Sequence, residues 1–259
     1  MGRVAGVLLG ALRLVAVLVL LVVGTAAVLL AVLWPARVGG VRPALWPAVG
    51  LCRAFVALMG VRVVCPDPDA IRRHHGLVFF NHLSYLDVVV LLALGPMRFL
   101  SAEGVRRLPL VGPMATSVGT VFVRRGDADS RAASRVQLVG KLRARPFPPL
   151  ALAPEGQISH TGAVLPFRRG AFEVAAEAGV PIRPVALRYS PLAPVVWRKG
   201  EWLLQAVARL ATHLPGVAAT VMPLPVVTPT PSDDPGILAS SMEAAMKQAG
   251  EAQADAPSS

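Results

Sequence analysis

A continuous apolar stretch near the N-terminus is the strongest hydrophobic feature of the chain. Residues 14–34 carry no charge and consist mostly of valine, leucine and alanine. As a helix rising about 1.5 Å per residue they would extend roughly 30 Å, the thickness of a bilayer core. Trp34 stands where an interfacial aromatic residue belongs, and Pro35 ends the helix. We predict an uncleaved membrane-spanning helix; a cleaved signal peptide is the alternative, but its apolar stretch would be shorter.

A second apolar stretch occupies residues 45–64. Arg53 and Arg62 interrupt it, and Trp46 stands near its start. Charges within an apolar helix favour a position on the membrane surface over a second crossing, so we predict an interfacial helix. A helix in the core of the folded domain is the alternative. Residues 1–65 are therefore predicted to form a membrane anchor.

Beyond residue 65, short apolar runs alternate with helical segments. The pattern predicts strands at 76–80, 118–123, 149–153 and 182–187, and helices at 85–94, 130–145, 171–178 and 202–213. Such alternation predicts an α/β fold with a central mixed sheet flanked by helices, which we assign to residues 66–228. In the remaining segment, 229–259, we predict a helix that begins near Pro235 and ends near Gln248, followed by a disordered tail.

The charge balance bears on partners and orientation. The chain has 26 basic against 15 acidic residues, a formal charge of +11, and 54% hydrophobic residues. This suits anionic lipids, phosphorylated substrates or nucleic acid, but with 5% aromatic residues and no recognition motif we expect no nucleic-acid partner. Arg3 and Arg13 precede the apolar segment, whereas more arginines follow it: Arg37, Arg42, Arg53, Arg62, Arg72 and Arg73. The positive-inside rule then predicts a cell inner or plasma membrane protein with a cytoplasmic catalytic domain.

Candidate chemistry appears where the first predicted strand of the domain ends. Residues 81–87 read Asn-His-Leu-Ser-Tyr-Leu-Asp and lead into a predicted helix. His82 would project from the carboxyl end of the strand, where open α/β sheets place reactive groups. Asp87 would accept a hydrogen bond from one imidazole nitrogen and leave the other free as a base. A neutral imidazole with an ordinary pKa of about 6.5 suits removal of a hydroxyl proton, although this spacing alone also occurs in structural pairs.

Further blocks follow in a fixed order along the chain. They read Gly-Thr-Val-Phe-Val-Arg-Arg at 119–125, Ala-Pro-Glu-Gly-Gln-Ile-Ser at 153–159, Pro-Phe-Arg-Arg-Gly-Ala-Phe at 166–172 and Val-Pro-Ile-Arg-Pro-Val at 180–185. Together with 81–87, they resemble the motifs of the glycerolipid acyltransferase family, which includes 1-acylglycerol-3-phosphate acyltransferases and lysophospholipid acyltransferases. The resemblance spans residues 81–187.

The agreement with the family motifs is uneven. Asn81, His82 and Asp87 meet the first motif in full. The second motif is matched by Gly119, Phe122 and Arg125, the third by Pro154, Glu155, Gly156 and Ser159, and the fourth by Pro181 and Pro184. In the third motif Ala153 replaces an aromatic residue, and Gln157-Ile158 replaces Thr-Arg. The second change removes a cation that the resemblance would assign to the acceptor's phosphate.

The resemblance implies a set of site residues. His82 and Asp87 would be catalytic, with backbone amides at Ser84 to Asp87 stabilising the oxyanion. Substrate-binding residues would be Asn81, Ser84, Gly119, Phe122, Arg125, Glu155, Gly156, Arg168, Arg169 and Pro181. An arginine fork suits phosphate, although Arg168 and Arg169 also fit a solvated basic turn. Neither Cys52 nor Cys65 lies in a metal-binding spacing, and we expect neither a cofactor nor a metal.

The resemblance also implies an activity. We expect a membrane-bound O-acyltransferase that moves an acyl group from acyl-CoA or acyl carrier protein, as co-substrate, to the hydroxyl of a lysolipid. The favoured reaction converts 1-acylglycerol-3-phosphate to phosphatidic acid. The alternatives are another acceptor, such as a lyso-ornithine lipid or lysophosphatidylcholine, and a non-catalytic lipid-binding homologue.

Overall fold

A mixed β-sheet forms the centre of the protein in the computed structural model, which describes residues 2–123, 128–214 and 216–252. Within these residues the sheet has seven strands in the order β1-β7-β6-β2-β5-β3-β4. The strands are β1 (Val61–Val64), β2 (Leu77–Phe80), β3 (Arg98–Ala102), β4 (Val121–Val123), β5 (Leu150–Leu152), β6 (Ile182–Ser190) and β7 (Val217–Pro223). Neighbouring strands run parallel except β6 and β7, which are antiparallel. The predicted α/β fold with a central mixed sheet is confirmed.

Helices cover both faces of this sheet. They are α1 (Gly2–Val32), α2 (Leu45–Leu58), α3 (Asp69–Arg72), α4 (Leu86–Leu94), α5 (Glu103–Arg106), α6 (Val111–Ser117), α7 (Ala128–Ala144), α8 (Gly170–Ala178), α9 (Leu203–Ala211) and α10 (Pro235–Ala252). Alternate residues of a strand point to opposite faces, so Val78 and Phe80 of β2 pack in one core with α1, α2, α4 and α9. Leu77 and Phe79 pack in the other core with α7, α8 and α10.

The register of the parallel strands brings several chain segments to one edge of the sheet. Leu77 of β2 pairs with Leu150 of β5 and with Ile182 of β6. The segments that follow β2 and β5, which carry two of the sequence motifs, therefore lie side by side. We call this the carboxyl edge, and the side where these strands begin the amino edge. Reactive groups in parallel α/β sheets occur at the carboxyl edge.

The prediction of one interfacial helix over 45–64 is wrong. Helix α2 ends at Leu58, Gly60 adopts a φ of +69°, and the β-branched run Val61–Val64 forms β1, which pairs with β7. Much of α2 is buried, including Val49 and Phe55, and it packs against α1 and α4. One face of α2 thus belongs to the core of the domain, as in the alternative, and β1 joins the segment before residue 65 to the sheet.

Helix α1 begins before residue 14, where the prediction placed its start, and one of its sides docks on the domain. The Arg13 guanidinium donates hydrogen bonds to the carbonyls of Ala211 (3.0 Å) and His213 (3.4 Å) at the end of α9. These are carbonyls that a helix leaves without an internal partner. Further along, Gly24 lies so close to α2 that an added Cβ would be 2.7 Å from Leu51 Cδ1.

The other side of α1 is apolar and exposed. Its exposed residues include Leu8, Leu12, Val15, Leu18, Val22, Leu29 and Leu30. By length and composition, the segment 6–32 is able to cross a membrane. In a soluble protein, a continuous apolar face of this length would be left in water, so it indicates an interaction surface.

Two further predictions differ from the structure. The strand predicted over 118–123 begins only at Val121, because α6 extends to Ser117 and Gly119 turns the chain with a φ of +87°. The C-terminal helix continues beyond Gln248 to Ala252, and the rest of the predicted disordered tail lies outside the described residues.

Candidate active site

His82 and Asp87 meet at the carboxyl edge, immediately after β2. His82 Nδ1 lies 2.7 Å from Asp87 Oδ2. The carboxylate can only accept, so Nδ1 carries the imidazole proton and Nε2 carries a lone pair. No described residue hydrogen-bonds to Nε2, and the His82 side chain is 25% exposed whereas Asp87 is fully buried. The pair has the geometry of a general base with its orienting carboxylate.

The Asp87 carboxylate is held by further donors. Oδ2 also accepts hydrogen bonds from the amides of Leu83 (2.8 Å) and Ser84 (3.0 Å), and Oδ1 accepts one from the Tyr189 hydroxyl (2.7 Å). Tyr189 is buried in β6; burial, and then the charge of Asp87, raise its pKa well above the ordinary value, so the phenol remains a donor. The sequence motifs did not identify Tyr189.

Ser84 has a structural position and does not bind substrate. Its buried hydroxyl donates to the Val195 carbonyl (2.7 Å) and accepts from the Leu86 amide (3.2 Å). The Asp87 amide in turn donates to the Ser84 carbonyl (3.3 Å). The amides of Ser84, Leu86 and Asp87 are therefore occupied within the turn and are not available as the predicted oxyanion donors, whereas the Tyr85 amide stays a prediction.

Asn81 also has a structural position, which corrects its predicted role in substrate binding. Its side-chain amide donates to the Leu187 carbonyl (2.9 Å), and its amide oxygen accepts from the Leu187 N–H (2.6 Å). Asn81 is 2% exposed. The side chain thus extends the pairing of β2 with β6 beyond the end of the strand and fixes the residue that precedes His82.

The third motif holds the backbone of His82. Glu155 Oε2 accepts the His82 N–H (2.7 Å), Glu155 Oε1 accepts the Leu165 N–H (2.9 Å), and the Ser159 N–H donates to the His82 carbonyl (2.8 Å). Burial raises the pKa of Glu155 to about 7, although the His82 and Leu165 amides oppose this shift. Glu155 therefore positions His82. Both of its carboxylate oxygens accept backbone N–H groups, which differs from its predicted role in binding substrate.

Gly156 and Arg168 form the polar rim beside these contacts. Gly156 adopts a φ of +70°, and an added Cβ would be 2.9 Å from Arg168 Nε, so the position requires glycine on both counts. Arg168 is exposed and extends over this glycine. Arg169 instead points along α8, with Nε 3.9 Å from Glu173 Oε1 and a side chain that is 79% exposed. Of the two arginines, Arg168 is the one at the site.

Three predicted substrate-binding residues lie away from His82. Pro181 is at the amino edge, where its carbonyl accepts the Leu77 N–H (3.0 Å), about 16 Å along the sheet from His82. Gly119 precedes β4 at the same edge, and Phe122 lies three strands from β2, about 14 Å, beneath the Arg106 guanidinium. These residues shape strand ends and an edge strand. Arg125 lies outside the described residues.

The raised pKa of Glu155 gives a test by stability. Folded Glu155 keeps its proton up to about pH 7, against an ordinary value of 4.5. Its contribution is therefore complete below about pH 4.5 and is lost as the pH rises through 7. Relative to Glu155→Gln, which does not titrate, the wild type should lose up to about 3 kcal/mol between pH 4 and 8, measured by denaturant unfolding in detergent.

The matched control is Glu243→Gln. Glu243 also accepts a backbone N–H, from Phe167 (2.9 Å), but Lys247 and that N–H outweigh burial and lower its pKa. Relative to this control variant, the wild type should gain stability as the pH rises. If the difference in unfolding free energy between the wild type and Glu155→Gln did not change with pH, the raised pKa of Glu155 would be contradicted.

Comparison with known proteins agrees with the motifs. Residues 62–188 match the family model described as Acyltransferase. The lyso-ornithine lipid O-acyltransferase of Pseudomonas aeruginosa is 38% identical over 109 residues, which are 42% of this chain and 41% of that protein. Its counterpart from Rhodobacter capsulatus is 34% identical over 152 residues, 57% and 52% of the two chains. The 1-acyl-sn-glycerol-3-phosphate acyltransferase of Neisseria gonorrhoeae is 31% identical over 138 residues, 52% of each chain.

These alignments cover about half the length of the curated relatives, or less. The crystal structure of the 1-acyl-sn-glycerophosphate acyltransferase PlsC from Thermotoga maritima superposes with a TM-score of 0.79 at 20% identity over 100% of both chains, which establishes a shared fold. The matched segment contains His82, Asp87 and Glu155. Through residues 62–188 the chain belongs to the acyltransferase family, as its motifs predicted.

Proposed function

We propose that the protein is a membrane-associated O-acyltransferase that moves an acyl group from a thioester donor to the free hydroxyl of a lysolipid. The observation that carries this proposal is the partly exposed His82 imidazole, whose Nδ1 is hydrogen-bonded to a buried, fully hydrogen-bonded Asp87 and whose Nε2 is free of protein partners among the described residues. The same intact pair argues against a non-catalytic lipid-binding homologue.

The chemistry follows from this geometry. His82 Nε2 removes the proton of the acceptor hydroxyl as the oxygen attacks the thioester carbonyl. Asp87 stabilises the imidazolium that forms, without itself taking the proton. When the tetrahedral intermediate collapses, the carbon–sulfur bond breaks and His82 returns the proton to the departing thiolate. The donor is acyl-CoA or acyl carrier protein, and a chain of charge +11 suits either anionic carrier.

The exposed apolar face of α1 supports association with a membrane, where the acceptor and the product both reside. With α1 at the bilayer, the acyl chains need not pass through water. The arginines that follow α1 favour a cytoplasmic catalytic domain at the inner or plasma membrane.

The acceptor that we propose first is 1-acylglycerol-3-phosphate, with its phosphate bound by Arg168. A named relative carries this activity, and Arg168 is an exposed cation next to Glu155 and Gly156 at the carboxyl edge. A lyso-ornithine lipid is the second candidate, because the relatives from Pseudomonas and Rhodobacter act on it and Gln157-Ile158 replaces the Thr-Arg of the phosphate-binding motif. An arginine also binds the carboxylate of an ornithine headgroup.

Removal of the imidazole tests the central claim. His82→Ala should lower acyl transfer by on the order of a thousandfold, because the hydroxyl loses its base. The measurement is transfer of a labelled acyl group from acyl-CoA or acyl carrier protein to lysolipid. His160→Ala is the control. His160 is exposed, and its only hydrogen bond among the described residues is to the Trp197 carbonyl, so this variant should transfer the acyl group at the normal rate. A folded His82→Ala protein with near-normal transfer would sink the proposal.

Tyr189→Phe tests the orientation of the base. The variant removes one donor from buried Asp87 Oδ1 and keeps the ring, at a cost of about 1–3 kcal/mol. We expect kcat to fall on the order of tenfold while the KM for donor and acceptor changes little. Tyr85→Phe is the matched control, because among the described residues its hydroxyl donates only to the Ala206 carbonyl (3.3 Å). If the two variants lowered kcat equally, Tyr189 would have no specific role in orienting His82.

Arg168→Gln assigns the acceptor group. Assayed on a panel of lysolipids, the variant should raise the KM for the preferred anionic acceptor by about tenfold, with less effect on kcat, since a charge-assisted hydrogen bond is lost. Arg169→Gln serves as the control. A wild-type preference for lyso-ornithine lipid over 1-acylglycerol-3-phosphate would select the second candidate. Loss that is equal for acceptors with and without an anionic group would show that Arg168 does not bind the headgroup.

A further inference from the structure

A short hairpin of residues 37–42 joins α1 to α2, and we call it the arginine hairpin. Its sequence is Arg-Val-Gly-Gly-Val-Arg. Val38 and Val41 exchange both backbone hydrogen bonds (3.0 and 3.1 Å), and the two central glycines adopt φ values of +58° and +78°. Such a two-residue turn places the flanking residues opposite one another. Arg37 and Arg42 therefore emerge side by side from the two arms.

The arginine hairpin packs against a region that carries two more arginines. An added Cβ on Gly40 would be 3.3 Å from Phe147 Cδ1, so the turn lies on this ring. Arg145 lies two residues before Phe147 in the chain. The Arg98 guanidinium lies beside the same segment and donates to the carbonyls of Pro148 (2.9 Å) and Arg145 (2.7 Å). Burial, and then the charges of Arg37, Arg42 and Arg145, lower the pKa of Arg98 to about 10.

The four arginines form a cluster without a protein counter-charge. Among the described residues, none of the four forms an ion pair with a carboxylate. Like charges opposite one another in a hairpin, with a partly buried cation beside them, repel. A bound anion would relieve this repulsion, and phosphate matches the donor geometry of guanidinium groups.

The surroundings of the cluster are apolar and exposed. Leu33 is 78% exposed, Trp34 65%, Val38 58% and Trp46 48%. Leu33 and Trp34 continue the exposed apolar face of α1, and Trp46 begins α2. Exposed aromatic and aliphatic side chains next to arginines have the composition of a segment at a bilayer interface.

The cluster is separate from the catalytic site. Arg98 begins β3 and pairs with Leu150, which pairs with Leu77. The cluster therefore lies at the amino edge, about 16 Å along the strands from the level of His82. A phosphate bound there is not attached to the reacting hydroxyl.

We infer that the arginine hairpin, with Arg98 and Arg145, binds the phosphates of anionic phospholipids at the membrane surface, at a place distinct from the acceptor site. A lipid surface fits better than an acidic protein. Acidic side chains would pair with the arginines but would leave Leu33, Trp34 and Val38 exposed to water, whereas a leaflet accommodates both.

Lipid retention from mixed micelles tests this inference. The protein in nonionic detergent is equilibrated with equal amounts of phosphatidylglycerol and phosphatidylcholine, separated by gel filtration, and its bound lipids are quantified. The wild type should retain phosphatidylglycerol over phosphatidylcholine on the order of tenfold. The double variant Arg37→Gln/Arg42→Gln should retain the two lipids about equally, while Arg37→Lys/Arg42→Lys keeps most of the preference.

The matched control is Arg169→Gln/Lys247→Gln, which removes the same charge from the start of α8 and from α10 on the opposite face of the sheet and should keep the full preference. Unfolding temperatures establish that each variant is folded. The His82→Ala protein should retain phosphatidylglycerol as the wild type does, which separates this inference from the proposed function.

Three results would overturn the inference. The first is equal preference for phosphatidylglycerol in the hairpin variant and in the Arg169→Gln/Lys247→Gln control. The second is displacement of phosphatidylglycerol by millimolar inorganic phosphate, which would indicate a site for the free anion. The third is hairpin-dependent binding of purified acyl carrier protein without a preference for phosphatidylglycerol, which would indicate a protein-docking surface.

Discussion

The buried charge of Asp87 is the constraint on which the site depends. An isolated carboxylate in an apolar core costs several kcal/mol, and only hydrogen-bond donors offset that cost. Asp87 has four, from the imidazole of His82, the amides of Leu83 and Ser84, and the hydroxyl of Tyr189. They come from the turn after β2 and from the far end of β6. The position of the Asp87 carboxylate therefore fixes three features together: the turn after β2, the start of α4, and the register between β2 and β6.

A separate set of contacts fixes the backbone of the base. Glu155 and Ser159 hold the N–H and the carbonyl of His82, and neither contacts the imidazole nitrogens. This division explains why the third motif tolerates its departures. The residues that differ, Ala153, Gln157 and Ile158, are not those that hold His82. Replacement of the Thr-Arg pair thus leaves the contacts that hold His82 intact.

The sequence predicts those parts of the structure that depend on local patterns. Strands β2 and β5 are continuous apolar runs, and His82 and Asp87 are brought together by one turn. Strand β1 was missed because Val61–Val64 continues the apolar composition of α2, and only Gly60 marks the change. Strand β7 was missed because two of its residues are alanines, a weak strand signal.

Contacts that depend on strand register could not be predicted from the sequence. Tyr189 reaches Asp87 across 102 positions, through the pairing of β2 with β6 that Asn81 extends. The same register places Pro181 and Gly119 at the amino edge, opposite His82. This could not be foreseen, because their motifs and those of the site follow one another in turn along the chain. A motif's order in the sequence does not show at which end of a strand its residues lie.

The docking of α1 connects its exposed apolar face to the turn that carries His82 and Asp87. Arg13 of α1 binds the end of α9, and the Ala206 carbonyl of α9 accepts the hydroxyl of Tyr85, which lies between His82 and Asp87 in the chain. Ser84 is anchored just before α9, at the Val195 carbonyl. Helix α9 and the segment before it therefore connect α1 to the turn that carries His82 and Asp87. In the membrane-associated enzyme that we propose, the depth of α1 in the bilayer would set the height at which His82 meets an acceptor hydroxyl, and selection among lysolipids would then depend on where the helix rests as well as on the residues beside the base.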